Sequence, residues 1–141
     1  KSLFEKKIVR LVDQLDSNVE NLGYTPNDMV QKIMSESMIL VIPSIWEEPF
    51  GITAIEGLSN KMAVISSEVG GLKEIVKDKG ILIKDINEKK LEKKLLNLIN
   101  NPQEVTKYQN LSWNNYLFSQ RDVSEMQDNI REKIYNKYRN I

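Results

Sequence analysis

Five consecutive apolar residues, Met38-Ile39-Leu40-Val41-Ile42, end abruptly at Pro43. The run is far too short to span a bilayer, and it offers no polar side chain to either face. Such a segment needs cover on both sides, the situation of a central strand in a parallel sheet. Proline lacks the backbone donor that would continue the ladder, so the strand stops there. Two further short apolar runs follow, Met62-Ala63-Val64-Ile65 and, after Gly80, Ile81-Leu82-Ile83. Val19 to Tyr24 is a weaker strand candidate, ending at Gly23.

Helical spacing fills the intervals. Phe4, Ile8, Leu11, Val12 and Leu15 fall on one face of a first helix. Pro26 suits a helix start, and Met29, Val30, Ile33 and Met34 form the stripe behind it. Helices are also expected over residues 52–58, around Lys73 to Val76, and from an Asn87 cap to Asn100 before Pro102. The remainder, about 103–139, reads as helical, with Val123, Met126, Ile130 and Ile134 on one face. No hairpin signal joins two apolar runs, so the strands are expected to be parallel with helical crossovers. The fold class is therefore α/β: a partial Rossmann-like, doubly wound parallel sheet with a helical C-terminal tail. A complete sheet of this kind has five or six strands against the four counted here. Residues 1–141 thus read as one truncated domain that starts partway through.

Composition restricts the chemistry. Twenty basic residues balance twenty acidic ones, which gives no long-range attraction to nucleic acid. Cysteine and histidine are both absent. That removes disulfides, thiolate nucleophiles and the commonest zinc ligands and general base. The chain starts Lys1-Ser2-Leu3-Phe4-Glu5-Lys6, without the apolar core of a signal peptide or an initiator Met. A cytoplasmic location and an excised or processed piece are the expectations.

In open α/β sheets the ligand crevice lies beyond the carboxyl ends of the strands. Ser44 to Gly51 occupies such a place, between the most apolar run and the next helix. A helix starting near Gly51 points free N–H groups and a positive dipole end into the crevice, which suits phosphate. Glu48 lies in the loop and Glu56 in the helix, which rises roughly 7 Å between Gly51 and Glu56. Carboxylates so placed can accept paired hydrogen bonds from the vicinal hydroxyls of a sugar or ribose. Taken singly, each piece has a plainer reading. Glu56 is then a solvated helix residue, Glu47-Glu48 a polar loop, and Gly51 and Gly70-Gly71 ordinary turns. Trp46, Phe50, Trp113 and Tyr108 are expected in the core or crevice wall rather than as base-stacking platforms.

Together, Ile42-Pro43-Ser44 and Glu47-Glu48-Pro49-Phe50-Gly51-Ile52-Thr53-Ala54-Ile55-Glu56-Gly57 resemble the signature of retaining glycosyltransferases of the two-domain family 4 type. Leu22-Gly23-Tyr24 with Pro26, Val64-Ile65 through Gly70-Gly71, and Gly80-Ile81-Leu82-Ile83 are similar to flanking parts of that family. The resemblance implies the C-terminal donor-binding domain of a GT-B enzyme of hexosyltransferase type. Its substrate would be a UDP-, GDP- or ADP-linked sugar, with no cofactor and no metal. Glu48, also the catalytic candidate, would contact the donor sugar and Glu56 the ribose diol. Phe50, Gly51 and Ile52 would offer backbone N–H groups, with Thr53 beside them and Gly23 and Tyr24 near the base.

The resemblance also implies what this chain leaves out. An N-terminal acceptor domain would be the missing partner, together with the strands that carry the diphosphate-binding Arg and Lys. The isolated chain is then expected to be inactive. The last helix would pack across onto that domain or, equally, onto its own sheet. Peripheral association with the inner face of the membrane is a further expectation, no nucleic acid is. The Lys- and Asn-rich composition fits an AT-rich microbial genome, and surface polysaccharide or lipopolysaccharide synthesis follows as context. The rival readings are a GT-B-fold epimerase or phosphorylase and a non-catalytic nucleotide-binding module.

Overall fold

The computed structural model describes residues 11, 12, 14, 18–114, 116 and 119–139. Residues 1–30 form one compact unit and residues 31–141 another. The helix expected over Phe4 to Leu15 lies outside the described residues, apart from Leu11 and Val12, which are helical, and Gln14, a turn residue whose N–H donates to the Leu11 carbonyl at 3.2 Å.

In the first unit the strand expected over Val19 to Tyr24 does not form. The Asn21 side chain takes the Gly23 N–H at 3.1 Å, a local bond that competes with ladder formation. Gly23 has φ +60°, and Val19 and Leu22 are half exposed. Helix α1, Asn27–Glu36, begins in this unit and ends in the second.

The second unit is built on three parallel strands: β1 (Ile39–Ile42), β2 (Ala63–Ser67) and β3 (Ile81–Ile83), in that spatial order. Ile39 pairs with Ala63, and Ile65 with Ile81. The central strand is therefore β2, buried along its whole length, while the more apolar β1 is half-buried and has one described neighbour. Among the described strands Met38–Ile42 has a neighbour on one side, β2.

Side-chain alternation divides the core into two layers. Val64 packs with Ala54 and Leu58 of α2 (Ile52–Ser59) and with Leu72, Ile75 and Val76 of α3 (Gly70–Val76). Ala63, Ile65, Ile81 and Ile83 face the other way, against Leu98 of α4 (Glu88–Asn100) and Val105 of α5 (Pro102–Asn114). Asn87 caps α4 by accepting from the Lys90 N–H at 3.0 Å, and Pro102 opens α5, where its missing donor costs nothing. The arrangement is the α/β layering expected, with helices on both faces of a parallel sheet.

Ser112 ties α5 to the sheet. Its buried hydroxyl donates to the Met62 carbonyl at 2.7 Å, with the Lys79 carbonyl 3.2 Å away. The last helix, α6 (Gln120–Tyr138), is opened by a capping box between Ser119 and Asp122. Its apolar residues Val123, Met126, Ile130 and Ile134 are all exposed. Among the described residues, no element makes an extensive contact with α6, and the stripe stays exposed. No described helix is long and apolar enough to cross a membrane.

Candidate functional site

Pro43 ends β1, and the chain runs through Ser44–Gly51 across the carboxyl edge of the sheet before entering α2. Gly51 makes the corner at φ +88°, ψ +49°, a left-handed conformation that favours glycine. A Cβ there would also lie 2.8 Å from Leu72 Cδ2. No side chain caps α2. Ala54 and Ile55 donate back to the Gly51 carbonyl, so helix geometry leaves the N–H groups of Ile52 and Thr53 without an intrahelical acceptor.

Those groups open onto a cavity of about 330 Å³ lined by Ile42, Glu48 and the Pro49–Thr53 turn, with Leu72 at its base. Five of the sequence-predicted residues, Glu48, Phe50, Gly51, Ile52 and Thr53, are thus brought together. Glu48 is half-buried and its Oε1 accepts from the Ser44 hydroxyl at 3.0 Å, which fixes the carboxylate on the loop. No Lys or Arg is among the residues lining this cavity.

Glu56 lies one helical turn beyond Ile52, on the same face of α2. Its Oε1 accepts from Gln31 Nε2 at 3.2 Å, and Gln31 Oε1 in turn accepts from Asn60 Nδ2 at 3.1 Å. Glu56 is therefore a positioned, half-buried carboxylate rather than a freely solvated one, although it does not line the Glu48 cavity. Gly23 and Tyr24 sit in the first unit; Tyr24 is 97% exposed.

Gly70 and Gly71 are the first residues of α3, not a turn before it. A Cβ on Gly70 would come within 2.3 Å of the Glu48 carbonyl oxygen, and one on Gly71 within 2.6 Å of that of Phe50. These glycines let the helix start approach the loop backbone. Of the aromatic residues, Phe50 lines the cavity and Tyr108 packs on the core, as expected. Trp46 is 73% exposed and Trp113 is also exposed, so neither is a core residue. Ser44, Gln31 and Asn60 escaped sequence reasoning. The Pro-Ser pair at a strand end pointed to Ser44, but no local signal links Gln31 to a helix 25 residues away. Among the described residues, no cluster of three carboxylates could hold a metal ion.

A parallel α/β sheet with a carboxylate and an uncapped helix start at its carboxyl edge is an arrangement of the Rossmann-like class. The chain belongs to the glycosyl transferases group 1 family, whose model matches residues 4–118. It is 42% identical over 89 residues to an uncharacterized glycosyltransferase of Methanocaldococcus jannaschii, covering 62% of this chain and 25% of that protein. It is 44% identical over 62 residues to an uncharacterized 42.6 kDa protein in the cps region of Klebsiella pneumoniae, covering 43% and 16%. An alpha-maltose-1-phosphate synthase of Mycolicibacterium smegmatis is 32% identical over 91 residues, covering 59% and 23%. The chain thus spans a quarter or less of these relatives' lengths.

Proposed function

We propose that this chain is the donor-binding part of a retaining glycosyltransferase of the family 4 type. It would hold a nucleotide-diphosphate sugar while the sugar passes to a glycan or lipid-linked acceptor. The observation that carries this reading is the cavity that joins the Glu48 carboxylate to the uncapped start of α2. The carboxylate accepts hydrogen bonds from sugar hydroxyls, and the helix N–H groups and dipole suit the phosphates. Glu56, held by Gln31, accepts the ribose diol. Glu48 is the residue assigned to the reacting sugar. The similarity to an alpha-maltose-1-phosphate synthase favours hexosyl transfer.

The same geometry supports the inactivity of this chain alone. Leaving-group charge is stabilised by cations or oriented donors, and the Glu48 cavity has no basic side chain among its lining residues. In this reading a further domain supplies the cations and the acceptor site, and the reaction runs without a metal at the inner face of the membrane. Surface polysaccharide or lipopolysaccharide is the product class that fits this setting.

Calorimetric titration of the full-length protein with UDP-, GDP- and ADP-glucose, each against inorganic phosphate, tests the reading. At least one nucleotide sugar should bind more tightly than phosphate. Absence of binding by all three, or turnover by the 141-residue chain alone, overturns it.

A further inference from the structure

A pocket of about 300 Å³ is formed by β3, the last strand of the described sheet, together with the first turns of α4. Leu82 and Ile83 of the strand line it, with Lys84 directly after them and Lys90, Lys93 and Lys94 from the helix. No carboxylate is among the lining residues, and none of them lines the Glu48 cavity. Asp85, next to Lys84, lines a different cavity. The chain as a whole is neutral, with twenty basic and twenty acidic residues, so this gathering of cations is local.

Lys90 is fixed in place. Its Nζ donates to the Lys84 carbonyl at 2.8 Å and to the Asp85 carbonyl at 3.0 Å. An ammonium has three donors, so one is left for a ligand. None of the four lysines forms an ion pair among the described residues. Lys73 and Lys107 show the ordinary alternative, pairing with Glu68 at 3.4 Å and Glu104 at 3.2 Å.

Helix electrostatics oppose this arrangement. Residues four apart on a helix are neighbours, and like charges there repel. Lys90 and Lys94 are such a pair. Lys90 also stands in the first turn, where the helix dipole disfavours a cation. Glu88 and Glu92 could relieve the repulsion, but at 3.6 residues per turn they lie roughly 100–160° away from the three lysines. An anion in the pocket removes it, which sets the sign of the ligand.

The type of cation narrows the class. Arginine matches a planar carboxylate with its fork, whereas lysine acts as a point charge and suits the tetrahedral, multiply charged phosphate. Four ammonium groups also exceed what one carboxylate neutralises.

We propose that this pocket is a phosphate-binding site separate from the nucleotide-sugar site. Lys90 is its fixed cation, and Lys84, Lys93 and Lys94 stand around the ligand. Inorganic phosphate and a phospholipid headgroup share the chemistry it recognises. The site has no residue in common with the donor reading and does not depend on it.

Two measurements on the full-length protein test this: calorimetry with inorganic phosphate, and flotation with vesicles of phosphatidylcholine, alone or mixed equally with phosphatidylglycerol. Phosphate, the mixed vesicles or both should be bound, and pure phosphatidylcholine should not. Phosphate alone assigns the site to a soluble ligand, and mixed vesicles alone assign it to a headgroup. Lys93→Glu combined with Lys94→Glu should weaken the binding about tenfold. The melting temperature should hold or rise, because the reversal turns repulsion of Lys90 into attraction. Lys93→Gln with Lys94→Gln should weaken binding less, in step with the charge removed. Lysines that merely guard the edge of β3 against pairing predict no such binding at all. The proposal is overturned if neither probe binds, or if the double reversal leaves binding unchanged, which would place the phosphate elsewhere, such as the start of α2. Nucleotide-sugar binding should be unchanged in both double variants. Its absence from the parent protein, with the lysine-dependent binding intact, would remove the donor reading and leave this site standing.

Discussion

The Gly71 N–H donates a 2.7 Å hydrogen bond to the Glu48 carbonyl, so the start of α3 holds the loop on which the candidate donor carboxylate stands. A helix leaves its first N–H groups without internal acceptors, and here one of them is satisfied by the loop itself. The bond needs close approach, which a side chain at either glycine prevents. Gly70 adds a left-handed φ of +45°. Gly71→Ala is expected to cost about 1–3 kcal/mol by forcing backbone apart, and Gly70→Ala at least as much because strain adds to the clash. Thermal unfolding measures the loss. If both variants melt like the parent chain, the contact is not what holds the loop.

Ser112 supplies a second point of attachment. Its hydroxyl serves the Met62 and Lys79 carbonyls at a fully buried position. Ser112→Ala removes the buried hydrogen bond to the Met62 carbonyl, at a cost of about 1–3 kcal/mol. Ser67→Ala, equally buried but unbonded among the described residues, should cost far less. Denaturant titration of the two variants side by side gives the comparison, and equal losses would contradict it.

The two glutamates separate by what each variant loses. Glu56→Gln keeps the size of the side chain but replaces one of two acceptor oxygens with a donor. On the ribose assignment it should weaken nucleotide-sugar binding about tenfold, equivalent to about 1.4 kcal/mol. Gln31→Ala removes only the residue that orients Glu56 and should weaken binding less. In the full-length enzyme, Glu48→Gln should reduce kcat more than nucleotide affinity, since it faces the sugar that reacts. Unchanged affinity in Glu56→Gln would remove the ribose role.

The parallel sheet and its crossover helices were legible because short apolar runs and helical stripes alternate without hairpin turns. The place of β1 was less legible, because apolar content reports cover on the faces of a strand, whereas its order in the sheet depends on neighbours. Here Ala63–Ser67 takes the middle, even though two of its five residues are serines. Val19 to Tyr24 misled because β-forming residues do not make a strand when Asn21 bonds locally to Gly23. The Glu48 loop could be read from one stretch of chain, where Pro43, Gly51 and the following helix lie in sequence. The Gln31–Glu56 contact and the lysine pocket could not, because they join residues from separate elements.

Helix α6 is where folding within this chain and packing against something else can be distinguished. Val123, Met126, Ile130 and Ile134 are 40–56% exposed, and the helix is supported by local pairs such as Arg121–Glu125 at 2.9 Å. Such exposed i,i+4 pairs contribute only about 0.3–0.5 kcal/mol each, and the exposed stripe adds little burial to them. Replacing Met126 and Ile130 together by serine should therefore change the unfolding free energy of this chain by less than about 0.5 kcal/mol. Leu98→Ala, which empties a fully buried site between sheet and helices, should cost about 2–5 kcal/mol. In the full-length protein, where a further domain is proposed to cover the stripe, the same serine pair should destabilise by several times its effect here. A large loss in the 141-residue chain would show that α6 is already packed within it.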